Sequence, residues 1–216
     1  VAGRYATRSG WSYLSLANMG DITLKKIVYS SDTAFDWLYP KRIQELSRLH
    51  WTPLEIAKQS AKFLAAGAGK RILDIGSGVG KFCLIGAHYF PEATFYGVEQ
   101  RKELYHFAQS AKERIKAQNV NFLNENFTQI DFSAYDHFYF YNSFFENIVD
   151  QGQIDHDVEY STSLYNYYSR YMLKGLENRP SGTRLVTYHG LGDEIPSSYQ
   201  LVDASMDFLL RMWIKR

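Results

Sequence analysis

The eight residues Leu73-Asp74-Ile75-Gly76-Ser77-Gly78-Val79-Gly80 constrain this chain of 216 residues more tightly than any other stretch. Residues 71–75 read as a short apolar strand, and three glycines then lead into a helical segment at 81–89. Glycine lets the backbone turn sharply and lets a ligand approach where a Cβ would clash. The free amides that open the following helix favour a polar or anionic ligand group. About twenty residues on, directly after Gly97 and Val98, Glu99 ends a second strand, where a carboxylate can accept two hydrogen bonds from a ribose diol.

The rest of the chain repeats the alternation. Strands are predicted at 94–98, 120–123, 136–141 and 183–188, with helices at 101–117 and roughly 158–176. Leu104, Phe107, Ala108, Ala111 and Ile115 form the apolar stripe of the first of these helices. Strands separated by helices imply right-handed crossovers and a parallel sheet. Two last strands, at 199–202 and 206–214, lie too close together for a helical crossover and must pair antiparallel. Upstream, Thr52 reads as the N-cap of a helix with Pro53 at its first position and Glu55 completing a capping box. Residues 33–49 read as helical, interrupted by Pro40, and residues 1–30 show no clear period. The expectation is an α/β, Rossmann-like three-layer sandwich. It has a seven-stranded, mostly parallel sheet with an antiparallel last strand, plus an N-terminal helical extension. Residues 1–52 are expected to form an arm or helical lid and residues 53–216 the main domain.

Two ligand classes use such a turn. A dinucleotide site requires G-x-G-x-x-G, whereas Lys81 stands where the third glycine should fall. Asp74, at the strand end, suits an ammonium group better than a pyrophosphate. S-adenosylmethionine carries an α-ammonium and no phosphate, which favours it as the ligand. The run 72–80 with Gly97-Val98-Glu99 resembles the class I S-adenosylmethionine-dependent methyltransferases, over about residues 52–216. Its Asp-x-Gly-Ser-Gly-x-Gly form is particularly similar to the non-SET histone lysine methyltransferases. The resemblance implies that Gly76, Ser77, Gly78 and Gly80 border the methionine portion, with Asp74 near its amino group. It implies that Glu99 holds the ribose, with Gln100 also among the cofactor-binding residues. Asn126 stands where family members often carry an adenine-binding acid, so Asn126 is expected to bond adenine and Phe127 to stack on it.

Residues at the carboxyl end of the fourth strand face the ligand crevice in an open α/β sheet. There the chain reads Tyr141-Asn142-Ser143-Phe144-Phe145-Glu146-Asn147. This is similar to the Asn/Asp-Pro-Pro-Tyr/Phe motif of amino-directed methyltransferases, with Ser143 and Phe144 replacing both prolines. It is also similar to the Asn-Asn-Phe-x-Phe segment of the lysine methyltransferases. The catalytic expectations are Asn142 accepting from a target N–H, Phe144 or Phe145 packing on the cationic centre, and Glu146 holding a cationic substrate or taking a proton. Asn142 also counts among the cofactor-binding residues. The alternative is that Asn142 caps a helix and the phenylalanines are core. The lost prolines leave nitrogen and oxygen acceptors both open.

Composition narrows the partners. A formal net charge of +1 without a long basic run argues against nucleic acid. With 17 Tyr and 14 Phe the chain has the means to build a packed core. Cys83 is the only cysteine, which excludes an internal disulfide and zinc–thiolate clusters, and it reads as packing. Asp155-His156-Asp157 reads as cap and dipole groups rather than as a metal site, and no metal is expected. No apolar window approaches the ~18 residues of a membrane span, so a cytoplasmic protein is the default. Trp51, Thr52, Tyr39, Tyr188 and His189 are candidates for the pocket or its mouth. The expected function is methyl transfer from S-adenosylmethionine to a nitrogen acceptor, on a protein side chain or a small amine. A non-catalytic S-adenosylmethionine-binding module is the alternative, and a nucleotide-dependent oxidoreductase a third.

Overall fold

The computed structural model describes residues 20–144, 147, 154–155, 158–190, 192 and 194–216. These build one seven-stranded sheet in the order β3-β2-β1-β4-β5-β7-β6. Its strands are β1 (Arg71–Ile75), β2 (Thr94–Val98), β3 (Val120–Leu123), β4 (His137–Tyr141), β5 (Arg184–Tyr188), β6 (Tyr199–Ser205) and β7 (Leu210–Lys215). The first five run parallel. β7 inserts between β5 and β6 and is antiparallel to both, so the final hairpin leaves β6 at the edge. The mostly parallel sheet with its antiparallel last strand matches the sequence expectation. Residues 206–209, expected within the last strand, instead make the hairpin turn, and Met206, Asp207 and Phe208 all adopt left-handed backbone there.

Successive strand residues face opposite sides of the sheet, and two cores result. On one side Ile72, Phe95, Tyr139 and Val186 pack under three helices, α5 (Leu54–Leu64), α6 (Lys81–Tyr89) and α7 (Lys102–Arg114). The other side is different. Leu73, Phe138, Phe140 and Leu185 meet α8 (Thr162–Glu177), helped by two short 3-10 turns, Phe127–Gln129 and Phe132–Ala134, in the β3–β4 connection. Ser161 caps α8 by accepting from the Leu164 N–H at 3.1 Å.

The N-terminal extension forms four short helices: α1 (Asp21–Val28), α2 (Asp32–Asp36), α3 (Lys41–Gln44) and α4 (Ser47–His50). The helical stretch expected over 33–49, interrupted at Pro40, forms three short helices. Pro40 lacks an N–H and has extended backbone, so a new helix starts after it. Leu24, Val28, Phe35, Leu38, Tyr39 and Ile43 are buried in the same core as α5 and α6. The capping box at Thr52 does not form. Pro53 occupies the N-cap position, and the Leu54 N–H donates to Asp32 Oδ1 at 2.8 Å, a cap supplied from α2. Thr52 instead shares a 2.9 Å hydrogen bond with the Tyr139 hydroxyl, and Glu55 bonds Lys58.

Candidate active site

The chain turns from β1 to β2 and β3 on one side and returns to β4 on the other. A crevice opens at such a reversal, beyond the carboxyl ends of the strands. Here it is a cavity of about 310 Å³. The glycine turn forms its floor. The Gly76 and Ser77 N–H groups both donate to the Val98 carbonyl, at 3.0 and 2.9 Å, tying the end of β1 to the end of β2. Gly76 has φ of 76°, and a Cβ there would run into the Ser143 side chain. That hydroxyl donates to Ile75 O at 2.7 Å and locks the β4 end against β1. Gly80, with φ of 81°, has a different neighbourhood: its α-carbon packs on Phe122 and Ala108, and it does not line the cavity.

Glu99 is buried at the end of β2. One carboxylate oxygen accepts from the Gly78 N–H at 2.9 Å and the other from the Arg101 N–H at 2.8 Å. Two anchored oxygens hold the carboxylate in one orientation toward the cavity. The buried Arg101 guanidinium lies 3.9 Å from Glu99 and 3.1 Å from Asp155, and donates to the Tyr160 hydroxyl at 2.8 Å. It thereby staples the segment before α8 over the cavity.

The far wall is polar above and aromatic below. Asn126 Nδ2 donates to Gln100 Oε1 at 2.9 Å and to the Tyr168 hydroxyl at 3.0 Å, while its carbonyl caps the 3-10 turn at Thr128. Beneath it the Phe127 ring stacks on Phe144, with centroids 4.9 Å apart. Both rings are almost wholly buried and line the cavity.

Asp74 sits one step away, in a small recess it shares with Gly76, Ser77, Thr52 and Tyr139. Burial lifts its carboxyl to about 8, the Cys83 thiol that donates to it at 3.7 Å offsets part of this, and the nearby Glu99 charge adds to it.

A second cavity, of about 620 Å³, lies on the other side of the β4 end. Leu49, Trp51, Tyr141 and Asn142 line both cavities, so these four separate the two spaces. Asn142 holds the junction with φ of 38°. His189, the next residue after β5, is also left-handed, at φ of 56°. It lines only the second space.

The family model of the methyltransferase domain matches residues 66–175, from just before β1 into α8. The chain belongs to that family. The methyltransferase domain matches several solved structures in fold. An RNA methyltransferase from Salinibacter ruber in complex with S-adenosyl-L-homocysteine is 18% identical over 76% of this chain and 92% of that one, with a TM-score of 0.51. TrmN from Thermus thermophilus is 16% identical over 81% of this chain, with a TM-score of 0.54, and this chain spans 51% of its length. A mutant of MtNAS in complex with S-adenosylmethionine is 16% identical over 90% of this chain and 70% of that one, with a TM-score of 0.51. At such identities the likeness is one of fold. No curated protein matches the sequence significantly.

The methyltransferase domain therefore gathers Gly76, Gly78, Glu99, Gln100, Asn126, Phe127, Asn142 and Phe144 around one cavity. Asp74 and Ser77 lie in the adjoining recess and Gly80 in the packing beneath. Phe145 and Glu146 lie outside the described residues, as do His156 and Asp157. Asp155 is the carboxylate partner of Arg101. Among the described residues no group of three metal-ligating side chains converges, and no helix is long and apolar enough to cross a membrane. Trp51 lines the site, Thr52 contributes to the recess, and Tyr188 and His189 line the second cavity. Tyr39 is wholly buried, donating to Val79 O at 2.9 Å. The tyrosines from 160 to 171 read in the sequence as helix packing or as an aromatic lining for the acceptor, and Tyr160 and Tyr168 line the cavity; Arg101 carries no such signal. Arg101 directly follows the Glu99-Gln100 pair, but its partners lie more than fifty residues away and carry no local signature.

Proposed function

We propose that this methyltransferase binds S-adenosylmethionine in the cavity beyond β1, β2 and β4 and transfers its methyl group to a nitrogen acceptor. The residues present suit that ligand. Gly76 leaves open a surface that a Cβ would fill against Ser143. Glu99 offers a fixed carboxylate to a ribose diol, and Gln100, Asn126 and Tyr168 offer donors and acceptors to a base edge. The buried Asp74 gives an α-ammonium a counter-charge. When bound, the sulfonium supplies an activated methyl group. The chain's task is to orient the acceptor and exclude water.

The observation that carries the nitrogen reading is the position of Asn142, a polar side chain between the two cavities on strained backbone. Its carbonyl there can accept from the acceptor N–H and aim the lone pair across the junction. The similarity of the 141–147 segment to lysine methyltransferases makes a protein side-chain amine one form of that acceptor, beside a small amine. Glu146 belongs to the same reading as a group near the acceptor. So does the division at residue 52: helix α4, with its N-cap Leu46, brings Leu46, Leu49 and His50 to the cavity wall, as a lid would.

Asn142→Gly tests this, because glycine keeps the left-handed backbone and removes only the side chain. Calorimetry should give S-adenosylmethionine affinity close to wild type, absent in Glu99→Ala and absent for NADH. Methyl transfer to n-butylamine or a lysyl peptide should fall about 100-fold, the scale set by a misplaced nucleophile. Parallel loss of affinity and turnover would instead make Asn142 a cofactor-binding or structural residue.

A further inference from the structure

We infer that the cavity across Asn142 receives the methyl acceptor as an alkyl amine, and that His189 is the catalytic base that removes its proton. The inference rests on the nitrogen reading above and deepens it.

Tyr141 and Tyr188 are register partners in β4 and β5, so Asn142 and His189 are the next residues along two adjacent strands. Both leave their strands in left-handed backbone, unusual for residues other than glycine, and both line this cavity. Such strain persists only where surrounding structure enforces it, and it concentrates at functional sites. At His189 the enforcing contact is its N–H donating to Leu209 O at 2.9 Å. The ring lies 4.4 Å from the Tyr188 ring and 5.7 Å from the Tyr141 ring, leaving a pocket with aromatic faces that favour a cation.

An alkyl amine is protonated at neutral pH and has no lone pair to offer. A base is therefore required beside the residue that aims the nitrogen. Around His189 the cavity presents Tyr141 from β4, Tyr188 from β5, Asp32 and Asp36 from α2, Arg48 from α4 and Lys81 from α6. Lys81 is engaged by both carboxylates, at 2.7 and 3.1 Å. Desolvation holds the His189 imidazole below its ordinary value, so it is neutral and ready to accept at pH 7. The step balances as follows. The ammonium proton passes through the imidazole to water, the freed nitrogen pair forms the N–C bond, and the C–S bond breaks with its electrons on sulfur. S-adenosylhomocysteine and a methylated amine leave.

The test uses the whole chain, tritium-labelled S-adenosylmethionine, and n-butylamine and acetyl-Gly-Lys-Gly-amide as acceptor probes. His189→Gly is the informative variant because glycine suits the left-handed backbone and keeps the bond to Leu209. Wild type should methylate a probe. His189→Gly should lose about 100-fold, within the range of a lost general base, with cofactor affinity unchanged. Added imidazole should restore the rate, and the residual rate should rise with pH as free amine accumulates. Independently of turnover, the His189 ring proton resonance, assigned by its loss in the variant, should move when n-butylamine is added. Wild-type rates in His189→Gly, or a loss that imidazole does not restore, would overturn the inference. Cofactor binding with neither probe methylated and the ring resonance unmoved would also overturn it, leaving the cofactor reading intact. Failure of wild type to bind S-adenosylmethionine would instead remove the function on which it rests.

Discussion

Asp74 is a buried carboxyl on a small recess, beside a thiol and within the field of Glu99. Its folded value of about 8 stands above the ordinary 3.8, so the folded chain holds a proton that the unfolded chain has lost. Folded stability from this group therefore declines as pH rises from about 4 to 8. An ammonium placed against it favours the ionised form and drives the proton off. At pH 7 S-adenosylmethionine should thus release close to one proton on binding, on the order of one because Asp74 is then mainly protonated. The slope of apparent binding enthalpy against buffer ionisation enthalpy measures this, and Asp74→Asn should flatten it. No release in wild type would place the ammonium elsewhere. The glycines make a complementary point at this scale. Gly76 and Gly80 are alike in sequence spacing and in the sign of φ, yet one faces the cavity and the other packs on Phe122.

At the scale of the element, β4 leads into Asn142, the residue proposed to aim the acceptor, and begins with a structural histidine at its other end. His137 Nδ1 accepts from the Arg184 N–H at 3.0 Å, joining the beginnings of β4 and β5. Burial, reinforced by Lys70 and Arg184, lowers this imidazole to about 4. Because the folded value lies below the unfolded 6.5, the stability it contributes is present above pH 6.5 and is lost as pH falls toward 4. The urea midpoint of wild type should drop over that interval, and His137→Gln should show a shallower drop; equal slopes would mean another group dominates. Elements were legible wherever periodicity and burial agreed. β1, β2 and β3 run where the sequence places them: after Arg71 both faces of β1 are buried, and β3 alternates, with Asn121 exposed between the buried Val120 and Phe122. The start of α5 was misread because its cap comes from Asp32, 22 residues away, and no local pattern announces a cap from another helix.

For the whole molecule the decisive contact is Lys81, almost fully buried at the start of α6. It pairs with Asp32 and Asp36 and lies over the rings of Phe35 and Trp51, fastening the N-terminal helices to the glycine turn. Removing one member of a buried ion cluster leaves the others uncompensated. Lys81→Met should cost about 3 kcal/mol in urea unfolding, the low end for buried pairs because Asp32 is half exposed. Adding Asp36→Asn should recover part of that loss; no recovery would assign the cost to packing. In the sequence Lys81 is the residue that breaks a dinucleotide fingerprint, and its role as a fastening exists only once α2 is folded against it. That contrast marks the division. Local order along the chain was enough to determine the alternating elements, the parallel sheet, the glycine turn and the carboxylate after β2, because each rests on periodicity or on backbone chemistry within a few residues. Which residues meet across the sheet was decided only in three dimensions. The staple from Arg101 to Asp155 and Tyr160, the cap from Asp32, and the two cavities meeting at Asn142 all join side chains distant in sequence. Nothing in a local pattern encodes such a distance.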